Sequence, residues 1–108
     1  MIGLDIFESV EMRVGTIIDA KPNKKARDPA YKLKIDFGEF GVKKSSAQLT
    51  QLYTPEDLIG RQVICVMNFH PIHIGDVTSE VRVLGTDSPQ GVVLLRPDEG
   101  VTNGDKIY

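Results

Sequence analysis

The chain has 108 residues, of which 41% are hydrophobic and 26% charged, a composition that predicts a single globular domain over residues 1–108. Its one cysteine excludes an intramolecular disulfide and fits a reducing compartment. No apolar run reaches the length of a membrane span and the first residues lack a signal-peptide pattern, so we expect a cytoplasmic protein that does not insert into membranes.

The first half of the chain predicts three strands. Apolar and polar side chains alternate over residues 10–14 and "VGTIIDA" continues the run, which predicts a long strand in which Gly15 allows a bend. In "YKLKIDFG" the same alternation places Ile35 in the core and Lys32 and Lys34 together on the outer face. "VKKSSA" follows as a third, weaker strand.

The second half predicts one helix and the remaining strands. In "TPEDLIG", Thr54 is the N-cap, Pro55 takes the first helical position and Gly60 ends the helix. Three strands follow in "QVICVMNF", "SEVRVLG" and "GVVLLRP".

Three strands, a short helix and then further strands is the order of an OB-fold. We therefore predict an all-β protein, a five-stranded OB-fold Greek-key barrel with one short helix between strands 3 and 4 and short terminal extensions. A β-sandwich is the alternative, although it normally needs more strands. The side chains expected in the core are Val14, Ile17, Leu33, Ile35, Val63, Val66 and Val83.

The overall charge of −2 hides one basic segment, residues 21–44, which holds eight cationic and three acidic side chains for a formal charge of +5. Such a segment is either a solvated surface balanced by nearby carboxylates or a contact surface for an anionic partner. We expect Lys24, Lys25 and Arg27 to be exposed on a loop. The cationic residues that would form such a contact surface are Lys21, Lys24, Lys25, Arg27, Lys32, Lys34, Lys43 and Lys44.

Residues that could support catalysis are few. His70 and His73 are the only histidines, and a metal site would need a further ligand such as Asp76 or Glu80. The alternative is a pair of polar loop histidines. Cys65 lies in an apolar strand and is expected to be a small buried side chain rather than a nucleophile. We therefore expect a non-enzymatic protein with no cofactor and no metal.

Four stretches carry a resemblance to a known family: "EMRVGTI", "KPNKKARDPAYKLKIDFGE", "LYTPEDLIGRQVICVMNF" and "GDVTSEVRVLG". In this order they resemble the tRNA-binding domain family. That family is an OB-fold module appended to some methionyl- and phenylalanyl-tRNA synthetases and to a cytokine-related synthetase cofactor, and it also occurs as free dimers. The resemblance covers almost the whole chain and implies a two-fold dimer.

The chain departs from the usual family pattern at three places. Residues 47–49 are Ala-Gln-Leu where the family has Ser-Gly-Leu or Ser-Gly-Ile. His70, His73 and Gly75 stand where the family favours lysines and an arginine, and residues 81–82 are Val-Arg where it has Gly-Met. The variants "KSSAQLT" and "SEVRVLG" are similar to the CsaA branch, small free-standing dimers described as chaperones of protein export.

The stretch "NFHPIHIGDVTSE" then corresponds to the binding lip of the barrel, with fewer fixed cations than tRNA-binding relatives have. Fewer cations weaken phosphate contacts and leave a more apolar surface for an unfolded segment. The residues expected to bind peptide are Phe69, His70, Ile72, His73, Ile74, Ser79 and Val81.

Apolar residues at both ends of the chain have no partner in the predicted barrel and suggest a homodimer interface. They are Ile2, Leu4, Ile6, Phe7, Val101, Ile107 and Tyr108. The alternative is that both termini pack back on their own barrel.

Three functions follow from these observations. The leading hypothesis is a non-enzymatic homodimeric chaperone that binds unfolded or precursor polypeptides before export, with an export motor as a further candidate partner. The second is a structure-specific tRNA-binding protein that uses segment 21–44. The third, a small enzyme, rests on the two histidines alone.

Overall fold

The computed structural model describes residues 1–108 and contains nine strands, two short helices and one 3-10 turn. Neither helix has the length and apolar character needed to cross a membrane. The elements are α1 (Leu4–Glu8), β1 (Met12–Pro22), β2 (Tyr31–Asp36), the 3-10 turn (Gly38–Phe40), β3 (Val42–Ala47), α2 (Pro55–Leu58), β4 (Gln62–Val66), β5 (Ile72–Ile74), β6 (Val77–Ser79), β7 (Arg82–Val83), β8 (Gly85–Ser88) and β9 (Gly91–Leu94).

Five of the strands form one antiparallel sheet in the order β3-β2-β1-β4-β7. The sheet curls until its two edges approach each other. The amide of Glu80 donates to the carbonyl of Lys44 at 2.8 Å, and the hydroxyl of Ser45 donates to the carbonyl of Val81 at 2.9 Å. The result is a nearly closed five-stranded barrel with α2 between β3 and β4, which confirms the predicted OB-fold.

Strand β1 is irregular at Ile18 rather than at Gly15, where the sequence would allow a bend. The register between β1 and β2 shifts between Ile17 and Asp19, which leaves Ile18 47% exposed. Gly15 has a different role. A Cβ atom there would lie 2.6 Å from Cγ2 of Ile35 and 2.7 Å from the Phe37 ring, so only glycine lets these core side chains pack against β1.

Five of the seven predicted core residues are buried, whereas Val66 and Val83 are only half-buried. Val66 could not join Val63 in the core because side chains alternate along a strand, and Val63 and Cys65 already occupy the inner face of β4. Val83 lies on β7, an edge strand of two residues, and packs against the core from its margin. The five buried residues are Val14, Ile17, Leu33, Ile35 and Val63.

The predicted single strand in "SEVRVLG" is wrong, because the chain changes partners within it. At Glu80 the amide bonds to Lys44 of β3, and the Glu80 carboxylate accepts from the Lys44 amide at 3.0 Å. Two residues later the chain pairs with β4 as β7, and from Gly85 it pairs with β9 as β8. The stretch is therefore divided among β6, β7 and β8.

Helix α2 begins as predicted at Thr54. The Thr54 hydroxyl accepts from the amide of Asp57 at 3.3 Å, and the Asp57 carboxylate accepts from the amide of Thr54 at 3.0 Å. This backbone hydrogen bond lowers the pKa of Asp57 below its usual value. The helix buries Leu58 completely and packs against β1.

Candidate functional site

A cleft of about 640 Å³ opens between the two edges of the barrel sheet, β3 and β7. The hairpins β5–β6 and β8–β9 form its remaining walls. Eleven of its 21 lining residues are hydrophobic. The cleft thus combines apolar side chains with polar ones such as Ser46 and Gln48, a lining that suits a polypeptide.

Five of the seven residues predicted to bind peptide line this cleft, and two do not. The five are Phe69, Ile72, Ile74, Ser79 and Val81. His70 and His73 are exposed outside it. Strand geometry explains the absence of His73, because it alternates with Ile72 and Ile74 along β5 and therefore points to the other face.

The cleft has an apolar floor and an apolar rim. Val81 is 3% exposed and lies at the floor, whereas Phe69 and Ile72 are 42% and 44% exposed. The guanidinium of Arg82 lies 5.9 Å from the centroid of the Phe69 ring, within the range of a cation–π contact. The exposed side chains at the rim are available to a partner without any rearrangement of the core.

Sequence reasoning missed two walls of the cleft. Ala47, Gln48 and Leu49 form one side, and Val92 and Leu94 of β9 form another. The first group had a signal, since these three residues depart from the usual family pattern. Val92 and Leu94 carried no such signal in the sequence, because an apolar strand such as "GVVLL" has the same pattern whether it faces a core or a cleft.

The two histidines have no metal-binding partners. The Nδ1 atom of His73 lies 3.0 Å from the hydroxyl of Thr78, and no group of three or more His, Cys, Asp or Glu side chains comes together anywhere in the chain. The carboxylates considered as further ligands are engaged elsewhere. Asp76 pairs with Lys32, and Glu80 accepts from the Lys44 amide.

Cys65 is completely buried in the barrel, as predicted. Burial raises the pKa of its thiol to about 12, because the charged thiolate is poorly solvated inside the core. The thiol is therefore neutral near pH 7, which is the state of a packing residue rather than a nucleophile.

The cationic residues of segment 21–44 lie mainly on the β1–β2 loop and on the outer face of the neighbouring strands. Lys24, Lys25 and Arg27 are exposed on that loop, which confirms their predicted placement. Arg27 also lines the cleft. The basic loop and the cleft therefore lie next to each other.

The outer face of β2 carries Lys32 and Lys34, alternating with buried Leu33 and Ile35 as predicted. Cross-strand pairing places Lys21 of β1 beside Lys32 and Lys44 of β3 beside Lys34. Two carboxylates reduce the charge of this face. Asp19 lies 3.7 Å from the ammonium of Lys21, and Asp76 lies 3.3 Å from that of Lys32.

Lys43 does not share the outer face. It pairs directly with Ile35, which points into the core, so Lys43 emerges on the inner side of β3 and is half-buried. We name the remaining seven residues of the predicted set the basic surface: Lys21, Lys24, Lys25, Arg27, Lys32, Lys34 and Lys44.

Six of the seven terminal residues predicted at a dimer interface are exposed. Helix α1 buries none of its residues, and Leu4 and Ile6 are 70% and 53% exposed. Ile107 differs, since its amide donates to the carbonyl of Met12 at 2.9 Å and its side chain is half-buried on the same chain's barrel. The six exposed residues are Ile2, Leu4, Ile6, Phe7, Val101 and Tyr108.

Solved structures similar to this chain include two chaperones. The structure of chaperone CsaA from Bacillus anthracis str. Ames superposes with a TM-score of 0.93 at 47% identity, covering 100% of this chain and 99% of that one. The CsaA chaperone protein from Picrophilus torridus gives a TM-score of 0.94, also at 47% identity, and both chains are covered completely.

Sequence comparison finds the same module inside much longer enzymes. Methionine–tRNA ligase from Methanothrix thermoacetophila is 36% identical over 104 residues, which are 96% of this chain but 15% of the ligase. The chain thus spans about a sixth of the length of the curated relatives that it matches. Residues 12–106 match the family model described as "Putative tRNA binding domain". The chain therefore belongs to the tRNA-binding domain family and, within it, to the CsaA-like branch.

Proposed function

We propose that this chain is a non-enzymatic, homodimeric, cytoplasmic chaperone that holds unfolded or precursor polypeptides in the cleft before export. The observation that carries the proposal is the cleft itself, which exposes Phe69 and Ile72 beside two strand edges. Burying apolar side chains of a client against this rim contributes about 25 cal/mol per Å² of surface removed from water. The likeness to two CsaA chaperones over the whole chain supports it.

The test is suppression of aggregation. A chemically denatured protein is diluted into buffer with increasing amounts of the chain, and light scattering is followed. We expect scattering to fall as the dimer approaches a 1:1 ratio with the client, and Phe69→Ser together with Ile72→Ser to weaken the effect several-fold. The matched control is Val93→Ser, an exposed apolar residue outside the cleft. Unchanged aggregation at a large excess of the wild-type chain would contradict a chaperone role.

A second proposed activity is binding of structured RNA, tRNA in particular, on the basic surface. The observation that favours it is the clustering of Lys24, Lys25 and Arg27 on one exposed loop beside Lys32 and Lys34. In a chain of net charge −2 this clustering creates a local positive field that suits phosphates. The matching family description supports the same activity.

A titration of tRNA against salt tests this activity. Each phosphate contact adds about 0.9 to the slope of log affinity against log salt concentration. We expect Lys24→Ala with Lys25→Ala to lower that slope by about 1 to 2. The matched control is Arg96→Ala with Lys106→Ala, which removes the same charge away from the basic surface. Binding that is tight and insensitive to salt would rule out this surface.

Dimerisation is proposed from the exposed terminal side chains. A stable interface of standard size buries roughly 800 Å² per partner. Helix α1 buries none of its residues, and Val101 and Tyr108 are exposed as well, so these side chains are available to a second copy of the chain. A two-fold dimer would present two clefts to one client chain and raise its avidity. Sedimentation equilibrium at micromolar concentration should give twice the chain mass of 11.9 kDa. Leu4→Asp with Ile6→Asp should return it to the monomer mass.

The proposal has two further parts. An export motor binds the chain directly, and residues 1–108 fold as one unit. Co-sedimentation of the purified chain with the purified export ATPase, with and without an unfolded precursor, tests the first. A single cooperative transition in calorimetry tests the second, because a two-state domain gives equal calorimetric and van't Hoff enthalpies.

A further inference from the structure

Hairpin β5–β6 belongs to both candidate surfaces. Ile72, Ile74 and Ser79 line the cleft. At the other end of the hairpin, its turn at Gly75 and Asp76 lies against residues 23–26 of the loop that carries the basic surface. A movement of this hairpin would therefore change the shape of the cleft and the charge of the basic surface together.

The turn of the hairpin fits closely against the loop. Gly75 has φ +65°, and a Cβ atom there would lie 2.4 Å from Oδ1 of Asn23 and 2.8 Å from the amide nitrogen of Ala26. No side chain fits between the two segments. A displacement of the loop is consequently transmitted to the hairpin by direct contact.

Asn23 joins the two segments from inside. It is 4% exposed, and its Nδ2 donates to the carbonyl of Ile74 at 2.8 Å and to the hydroxyl of Ser46 at 3.2 Å. Its Oδ1 has no hydrogen-bond partner. A flipped amide would place Oδ1 against the Ile74 carbonyl, so this orientation is fixed. The two hydrogen bonds of Asn23 connect the loop to the hairpin and to β3.

The second tie is the ion pair between Lys32 and Asp76. Both carboxylate oxygens of Asp76 lie 3.3 Å from the Lys32 ammonium, and both side chains remain about one-third exposed. A phosphate that approaches the basic surface competes with Asp76 for this ammonium and repels the carboxylate. The Lys32 ammonium is thus both a binding group for phosphate and the partner that ties the hairpin through Asp76.

We propose that a polyanion on the basic surface and a polypeptide in the cleft weaken each other's binding through hairpin β5–β6. The inference rests on the proposed function, since it concerns regulation of the same cleft. Phosphates at Lys24, Lys25 and Arg27 draw the loop outward, and phosphate at Lys32 releases Asp76. The hairpin then withdraws Ile72 and Ile74 from the client. The coupling is reciprocal, so an occupied cleft weakens polyanion binding by the same factor.

Fluorescence anisotropy of an uncharged, labelled peptide of alternating leucine and glutamine tests the coupling. The peptide carries no charge, so it forms no ion pairs with tRNA phosphates and does not compete with them for lysine and arginine side chains. Its apparent Kd is measured against the full chain at increasing concentrations of unfractionated tRNA. We expect the Kd to rise at least about fivefold and then to reach a plateau, since coupling between two sites has a finite factor.

Variants separate the hairpin mechanism from simple overlap. Asp76→Asn removes the carboxylate that competes with phosphate, so tRNA should bind more tightly and should change the peptide Kd less than about twofold. Asp98→Asn, a carboxylate elsewhere on the surface, should behave like wild type. A Kd that keeps rising with tRNA without a plateau would replace the hairpin mechanism with direct overlap at Arg27.

The outcomes also distinguish this inference from the proposed function. If peptide and tRNA both bind but leave each other's Kd unchanged, the inference is wrong and the proposed function stands. If the peptide does not bind at all, the chaperone proposal and the inference fail together. If the peptide binds and tRNA does not, the coupling is overturned and the chaperone proposal survives.

Discussion

Residues 12–47 and residues 68–94 are both β-structure, but they are built in different ways. The first region forms three strands of 11, 6 and 6 residues, and it buries Ile17, Leu33 and Ile35 almost completely. The second forms five strands of two to four residues, and it exposes Phe69 and Ile72. The long strands thus hold most of the buried core, whereas the short ones line the cleft and leave apolar side chains exposed at its rim.

The difference between the two regions should be largest in their contributions to stability. Ile35 is fully buried in β2, and Ile35→Ala should lower the free energy of unfolding by about 2–4 kcal/mol through lost transfer energy and the cavity left behind. Ile72→Ala on the cleft rim should change it by about 0.5 kcal/mol or less. Chemical denaturation of both variants decides the matter. Equal losses would mean that the cleft wall carries as much of the stability as the barrel.

Cys65 makes the stability of the barrel depend on alkaline pH. Its pKa rises from 9.0 in the unfolded chain to about 12 in the barrel, so above pH 9 the unfolded state releases a proton that the folded state keeps. The stabilisation of the folded state by the neutral, buried thiol is fully present below pH 9. It is lost as pH rises towards 12, on the order of 1 kcal/mol per pH unit. Denaturation at several alkaline pH values should show this slope, and Cys65→Ala should remove it.

A thiol probe gives the matching control for that experiment. Native Cys65 should not react with Ellman's reagent on a timescale of minutes, because the thiol is buried and neutral. Ile72→Cys in a Cys65→Ala background should react at once. Fast reaction of the wild-type chain would mean that the barrel opens as readily as the cleft wall.

The smallest expected effect is on client binding. Phe69→Ala should weaken binding of an uncharged apolar peptide about fivefold, since only part of an exposed ring is removed from water on binding. Unfolding stability should stay within about 0.5 kcal/mol of wild type. Val93→Ala, equally apolar and outside the cleft, should leave both quantities unchanged. A similar loss of binding for Val93→Ala would move the client away from the cleft.

The long strands and helix α2 have local sequence patterns that predict them, whereas the short strands depend on contacts between distant segments. In β2 the alternation of Leu33 and Ile35 with two lysines fixed the register, and the residues around Thr54 fixed the helix start. Both were predicted correctly. Val66 was misplaced because a continuous apolar run does not reveal which face is inward. The division of "SEVRVLG" depends on Glu80 bonding to β3, a contact between distant segments that no local pattern reports.

The site was predicted less completely than the barrel for the same reason. Phe69 and Ile74 stand in a stretch whose histidines and proline attract notice, and both line the cleft. Asn23 gave no such signal, because an asparagine in "KPNKKARDP" looks like an ordinary turn residue. Its role depends on the Ile74 carbonyl, which lies 51 residues further along the chain.

Strand β1 pairs with residues 104 and 105, and this pairing has a consequence for synthesis. The amide of Val14 donates to the carbonyl of Asp105, and the carbonyl of Val14 accepts from the amide of Gly104. About ninety residues separate these partners, so a growing chain holds this strand edge unpaired until almost all of the barrel has left the ribosome. An unpaired, partly apolar edge is prone to join other chains. This edge of β1 should therefore stay unpaired until translation has passed Asp105, and nascent chains that stop earlier should need protection from aggregation themselves.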